Sequence, residues 1–243
     1  MKLFQLMLSV CSVTAVMFAG QVNPCATDLL SSYVTNQTSC QLGQLIFSDF
    51  EYGPNHFPQN PGPGANTITV TPITDPGDPG FLFSTPDWTA VGAGNGGDSS
   101  ISYLITSASG APIIDAVDLG VTEAITSEPV KLIVDETVCV GVMIAPGQCP
   151  AANTVSLVNS NTPGSVTQVP YATFGPVSEV TVLKDIYFAS DGSTGNAQIL
   201  SVSNTYPTPE PSAAVLSLCG LMVLWQMGKK RMPASAKATS RLR

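Results

Sequence analysis

Between residues 44 and 206 apolar and polar side chains alternate at a period of two, and Gly, Pro and Asn interrupt the alternation at short intervals. A period of two sends successive side chains to opposite faces, so each run reads as a strand with one buried face. Residues 44–52 place Ile46, Ser48, Phe50 and Tyr52 on one face and Phe47, Asp49 and Glu51 on the other. Ile101, Tyr103 and Ile105 share a face in residues 100–107, as do Val130, Leu132 and Val134 in residues 129–138. Val180, Val182, Ile186 and Phe188 do so in residues 177–189. Residues 66–73, 80–84, 112–124, 153–158, 168–173 and 196–206 are further strand candidates. Residues 53–65 read as a proline-rich loop, and residues 75–80 as a double turn. The exception is residues 25–33, where Leu29, Leu30 and Tyr33 stand at helical spacing. Some ten short strands with turn residues between them predict an all-β fold. The expectation is an antiparallel β-sandwich, Ig-like or jelly-roll-like, with one short N-terminal helix. A barrel is the alternative.

Charge is sparse and unevenly placed. Charged residues are 11% of the chain, against about 25% in ordinary soluble domains. Seven of the nine basic residues lie in the terminal segments. From residue 21 to residue 208, sixteen carboxylates face two lysines, a net of −14. A body of that sign repels phosphate, which excludes nucleic acid as a partner.

Both ends carry export chemistry. Lys2 precedes a charge-free apolar run ending near Ala19 and Gly20, the pattern of a cleaved secretory signal peptide over residues 1–20. At the other end Pro209, Glu210 and Pro211 form an extended joint, because proline denies the backbone donors a helix or strand needs. An apolar segment, residues 213–228, follows it, and then the basic cluster Lys229, Lys230 and Arg231. Such a segment predicts a transmembrane helix, and the cluster predicts a cytoplasmic stop. This order resembles the PEP-CTERM sorting domain of Gram-negative bacteria. The resemblance implies export, transient anchoring in the inner membrane, and cleavage by an exosortase-type protease. It also implies a destination at the cell surface or in an exopolysaccharide matrix. The expected organisation is signal peptide 1–20, ectodomain 21–206, sorting segment 207–231 and a short basic tail 232–243. Cys25-Ala26-Thr27, Cys40-Gln41-Leu42-Gly43, Ile46-Phe47-Ser48-Asp49-Phe50 and Val182-Leu183-Lys184-Asp185-Ile186 also resemble a recurring, uncharacterised β-rich ectodomain of PEP-CTERM proteins.

Four cysteines remain in the body: Cys25, Cys40, Cys139 and Cys149. They allow three pairings, and an oxidising compartment favours disulfides. The local pairing, Cys25–Cys40 with Cys139–Cys149, is expected. The first ties down the mature N-terminus, and the second clamps a hairpin. A metal site is disfavoured, since no CxxC pair exists and His56 is the sole histidine.

No catalytic constellation emerges, and the chain reads as a non-enzyme. A serine triad would need His56, which lies in the proline-rich stretch with no nucleophile motif beside it. Sixteen acids neither support nor exclude a glycosidase pair. Trp88 reads as a core residue better than as a sugar platform. Calcium is the one cofactor the residues leave open, through Asp75, Asp78, Asp98, Asp191 and Asn196 in flexible turns. The role of Asp and Asn in turns explains those positions without metal. The expected role is structural or adhesive, with exopolysaccharide as partner; carbohydrate binding is the alternative, and glycoside hydrolysis ranks below it.

Overall fold

The computed structural model describes residues 22–57, 60–111, 113–127, 129–141, 149, 153–190 and 194–208. These form a sandwich-like fold of two large sheets and one short helix. The first sheet contains β1 (Asn23–Pro24), β3 (Cys40–Leu42), β4 (Leu45–Phe57), β9 (Gly96–Ser107), β15 (Glu179–Ser190), β11 (Val130–Val140), β12 (Thr154–Thr162) and β13 (Ser165–Val169), in that spatial order. A two-residue β5 (Asn60–Pro61) pairs with the far end of β4. The second sheet runs β14 (Tyr171–Val177), β10 (Ile114–Ser127), β16 (Asn196–Thr205), β7 (Gly80–Ser84), β6 (Thr69–Ile73) and β2 (Asp28–Leu29), with β8 (Thr89–Val91) beside β16. Apart from the parallel pair β1–β3, the described pairings are antiparallel.

The alternation read from the sequence fills the space between the sheets. Ile101, Tyr103 and Ile105 on β9, and Val180, Val182 and Ile186 on β15, are fully buried. They face Phe81, Phe83, Ile199 and Val202 of the second sheet. Aromatic rings cross between the layers at one end. Phe47 meets Phe81 edge-on at 4.7 Å between centroids, and Phe50 meets Phe81 edge-on at 5.7 Å. Such pairs add about 0.5–1.5 kcal/mol each beyond their burial. Tyr33 closes this end by packing on Phe50 at 4.8 Å.

Four expectations need correction. The helix α1 is Leu30–Thr35, not residues 25–33. Asp28–Leu29 is drawn into a strand by pairing with β6, which leaves Leu29 exposed and only Leu30 and Tyr33 buried. The face assignment in residues 44–52 fails halfway, because the register of β4 against β9 shifts between Ser48 and Glu51. Asp49 there takes φ +52°, and the bulge inverts the alternation, so Leu45 and Phe47 point inward before it and Phe50 after it. The proline-rich stretch 53–65 is partly strand, since β4 continues through His56 to Phe57 and turns back into β5. Residues 168–173 are not one strand. Pro170 has no amide hydrogen to donate, and there the chain leaves the first sheet as β13 and enters the second as β14.

Candidate functional site

Both expected disulfides are present, Cys25–Cys40 and Cys139–Cys149, with Cα separations of 4.8 and 5.3 Å. Cys40 lies in β3, and Cys25 follows β1 directly, so the first disulfide pins the outer strands of the first sheet. The signal segment and Pro209, Glu210, Pro211, Lys229, Lys230 and Arg231 lie outside the described residues. No helix among the described residues is long and apolar enough to cross a membrane.

The outer face of the first sheet is concave and holds a groove of about 800 Å³. Its floor follows from strand register. Ser102 stands opposite Glu51 on one side and Leu183 on the other, and Leu183 stands opposite Thr137. One row deeper, Thr181 faces Leu104 and Cys139. Thr181 and Cys139 are buried although their parity points outward, which marks the depth of the groove. Asp49 and Glu51 form one wall, and the Cys139–Cys149 disulfide lies at the other. The Asp49 bulge belongs to this wall.

Beside the groove three carboxylates gather on adjacent strands. Asp185 stands opposite Asp135 across β15 and β11, and Asp98 lies one row away on β9. Desolvation first, then a hydrogen bond with Asp98 and the charges of Asp98 and Asp135, push the Asp185 carboxyl up to about 7. Partial desolvation likewise raises Asp135, although it is exposed. Tyr52 borders the groove. Its hydroxyl donates to the carbonyl of Pro63 and meets Ser99 Oγ at 3.1 Å. Two lysines lie among the described residues. Lys131 lies 5.0 Å over the Tyr187 ring, and Lys184 is buried against Glu136.

Trp88 is fully buried, and its Nε1 donates to Ser99 Oγ at 3.4 Å, so it is a core residue and no sugar platform. The calcium candidates among the described residues are not all brought together. Asp75 accepts from the Gly77 amide at 3.0 Å within the β6–β7 turn, Asp98 lies on the other sheet, and Asp191 is outside the described residues. Among the described residues, no three His, Cys, Asp or Glu side chains are arranged to hold a metal ion. The histidine side chain of His56 is likewise outside the described set.

The sequence reading missed the groove and the acidic row. Asp98, Asp135 and Asp185 sit on three strands adjacent only through the order β9-β15-β11, which alternation does not disclose.

No protein-family profile matches the chain. No curated protein matches it. Among solved structures, one described as TmCBM61 in complex with beta-1,4-galactotriose aligns with a TM-score of 0.29 and 9% identity, covering 64% of this chain and 86% of that one.

Proposed function

We propose that this is an exported bacterial surface or extracellular-matrix protein of the PEP-CTERM type. In this reading an exosortase-type protease sorts it, and its ectodomain, an Ig-like or jelly-roll-like sandwich, serves a structural or adhesive role without catalysis. One observation carries the proposal. The body closes two disulfides, a device of oxidising compartments, and it lies between an export signal and a Pro-Glu-Pro tail in the sequence. Replacing Pro209, Glu210 and Pro211 with alanine, in a host that has the sorting protease, should leave uncleaved protein in the membrane. Release at the wild-type level would overturn the sorting role.

The groove favours a second reading, binding of a neutral polysaccharide. Hydroxyls of Ser102, Thr137 and Thr181 and the carboxylates of Asp49 and Glu51 offer the donors and acceptors that sugar hydroxyls need, while the acids disfavour polyanions. A glycan array with the mature exported protein tests this. Signal for neutral glycans that is lost in Glu51→Ala supports it, and no signal for any glycan refutes it.

A further inference from the structure

The two sheets end differently at their two sides. At one side the outermost strands are β1 and β2, each two residues long. Pro24, Asp28 and the Cys25–Cys40 disulfide occupy that side. Short strands, proline and charge are the ordinary ways of blocking edge-to-edge pairing. At the other side the first sheet ends at β13, which among the described residues pairs on one side only, with β12. All five residues of β13 are exposed, Val166 at 65% and Val169 at 43%. Tyr171, immediately beyond Pro170, is 49% exposed. β13 has no proline, no bulge against β12 and no charge.

The lack of charge extends well beyond the strand. Residues 137–178 contain no Asp, Glu, Lys or Arg, in a body whose net charge is −14. A second acidic body is repelled over most of this surface. It meets no carboxylate of these residues on approaching along β13. The unpaired amides and carbonyls of a strand edge are satisfied by another strand. A strand edge used by two identical chains closes as a two-fold dimer.

We infer that β13 is a self-association edge, pairing antiparallel with β13 of a second copy and joining the two first sheets into one continuous sheet. Centred on Thr167, the two-fold sets Thr167 against its own copy, Val166 against Gln168 and Ser165 against Val169. The alternation of the strand is preserved in this register, and a Thr–Thr pair is a favourable cross-strand contact. The inference goes beyond the proposed function and does not depend on sorting.

Light scattering on the full chain in detergent measures the assembly. Wild type is expected at the mass of two chains, and Val166→Lys/Val169→Lys at the mass of one. Both valines are exposed, so the variant keeps the core intact, which its unfolding midpoint verifies. Wild type at the mass of one chain, or a variant that remains a dimer, overturns the inference. Thr167→Cys tests the register. It should give a disulfide-linked dimer on a non-reducing gel, whereas Leu200→Cys, at an exposed site of the second sheet, should not. Equal cross-linking at both positions, or none at Thr167, overturns the two-fold register.

Discussion

Asn204 of the second sheet donates its side-chain amide to Glu136 Oε1 of the first at 2.7 Å, across the middle of the sandwich. Glu136 stands directly opposite Lys184 in the β11–β15 pairing and forms an ion pair with it, and both side chains are fully buried. Desolvation lowers the Lys184 pKa against the opposing pull of Glu136. Nearby, the hydroxyls of Tyr103 and Tyr206 meet at 2.8 Å, again one from each side of the core. These polar contacts fix the offset of the two sheets beyond what close apolar packing does, because sliding a sheet would leave a buried charge or amide unpaired.

Lys184→Met should therefore be among the most damaging single changes. It strands a buried carboxylate, a loss of about 3–5 kcal/mol. Lys184→Met/Glu136→Leu should recover part of that loss, leaving about 1–3 kcal/mol for the one Asn204 N–H that loses Glu136 while the other keeps the Asp118 carbonyl. Urea unfolding of the two variants checks the order, and a double variant no more stable than the single one would refute it.

The disulfides give a second expectation. Peptide mapping without reduction should find Cys25 joined to Cys40 and Cys139 joined to Cys149, and a Cys25–Cys139 peptide would contradict the fold. Cys25→Ser/Cys40→Ser should lower stability by about 2–4 kcal/mol. The first sheet should loosen from its β1 side, which hydrogen exchange at β3 would reveal.

The buried pair was legible in the alternation, yet it takes the structure to interpret it. Glu136 shares the parity of Val130, Leu132 and Val134, and Lys184 that of Val182 and Ile186, so both charges fall on faces that read as core. Their mutual pairing was not legible, because β11 and β15 are far apart in sequence and become neighbours only through the sheet order. The local disulfide pairing, the strand content and most inward faces followed from period and spacing. The groove did not. It depends on sheet order and on the Asp49 bulge, a single inserted residue that alternation reads as in phase. The shift of helix α1 has a similar cause, since pairing of Asp28–Leu29 with β6 overrides the local helical spacing.

Asp49 offers a test of that bulge. At φ +52° a β-branched side chain is strained, aspartate is tolerated and glycine is unstrained. Asp49→Gly should leave stability within about 0.5 kcal/mol of wild type or raise it, while Asp49→Val should lower it by about 1–2 kcal/mol. Thermal melts of the two variants measure the difference. Equal destabilisation by both would mean that the carboxylate, and not the backbone, holds the bulge.

The acidic row predicts how stability depends on pH. Asp185 titrates at about 7 in the folded protein against an ordinary 3.8. A raised carboxyl pKa means that between these values the folded state holds a proton the unfolded chain releases. The proton stabilises the fold below the ordinary value, and that contribution declines as pH rises through 7. Desolvation raises Asp118, Glu123 and Asp135 as well, so these carboxyls together should lower the melting temperature progressively as pH rises from about 4 to about 8. Asp185→Asn removes this titration while keeping the size of the side chain. Its melting temperature should fall less steeply over the same range, with the two proteins diverging most above pH 7. Added salt should narrow the gap by screening the repulsion among Asp98, Asp135 and Asp185. Parallel slopes for the two proteins would show that Asp185 ionises freely on the outer face.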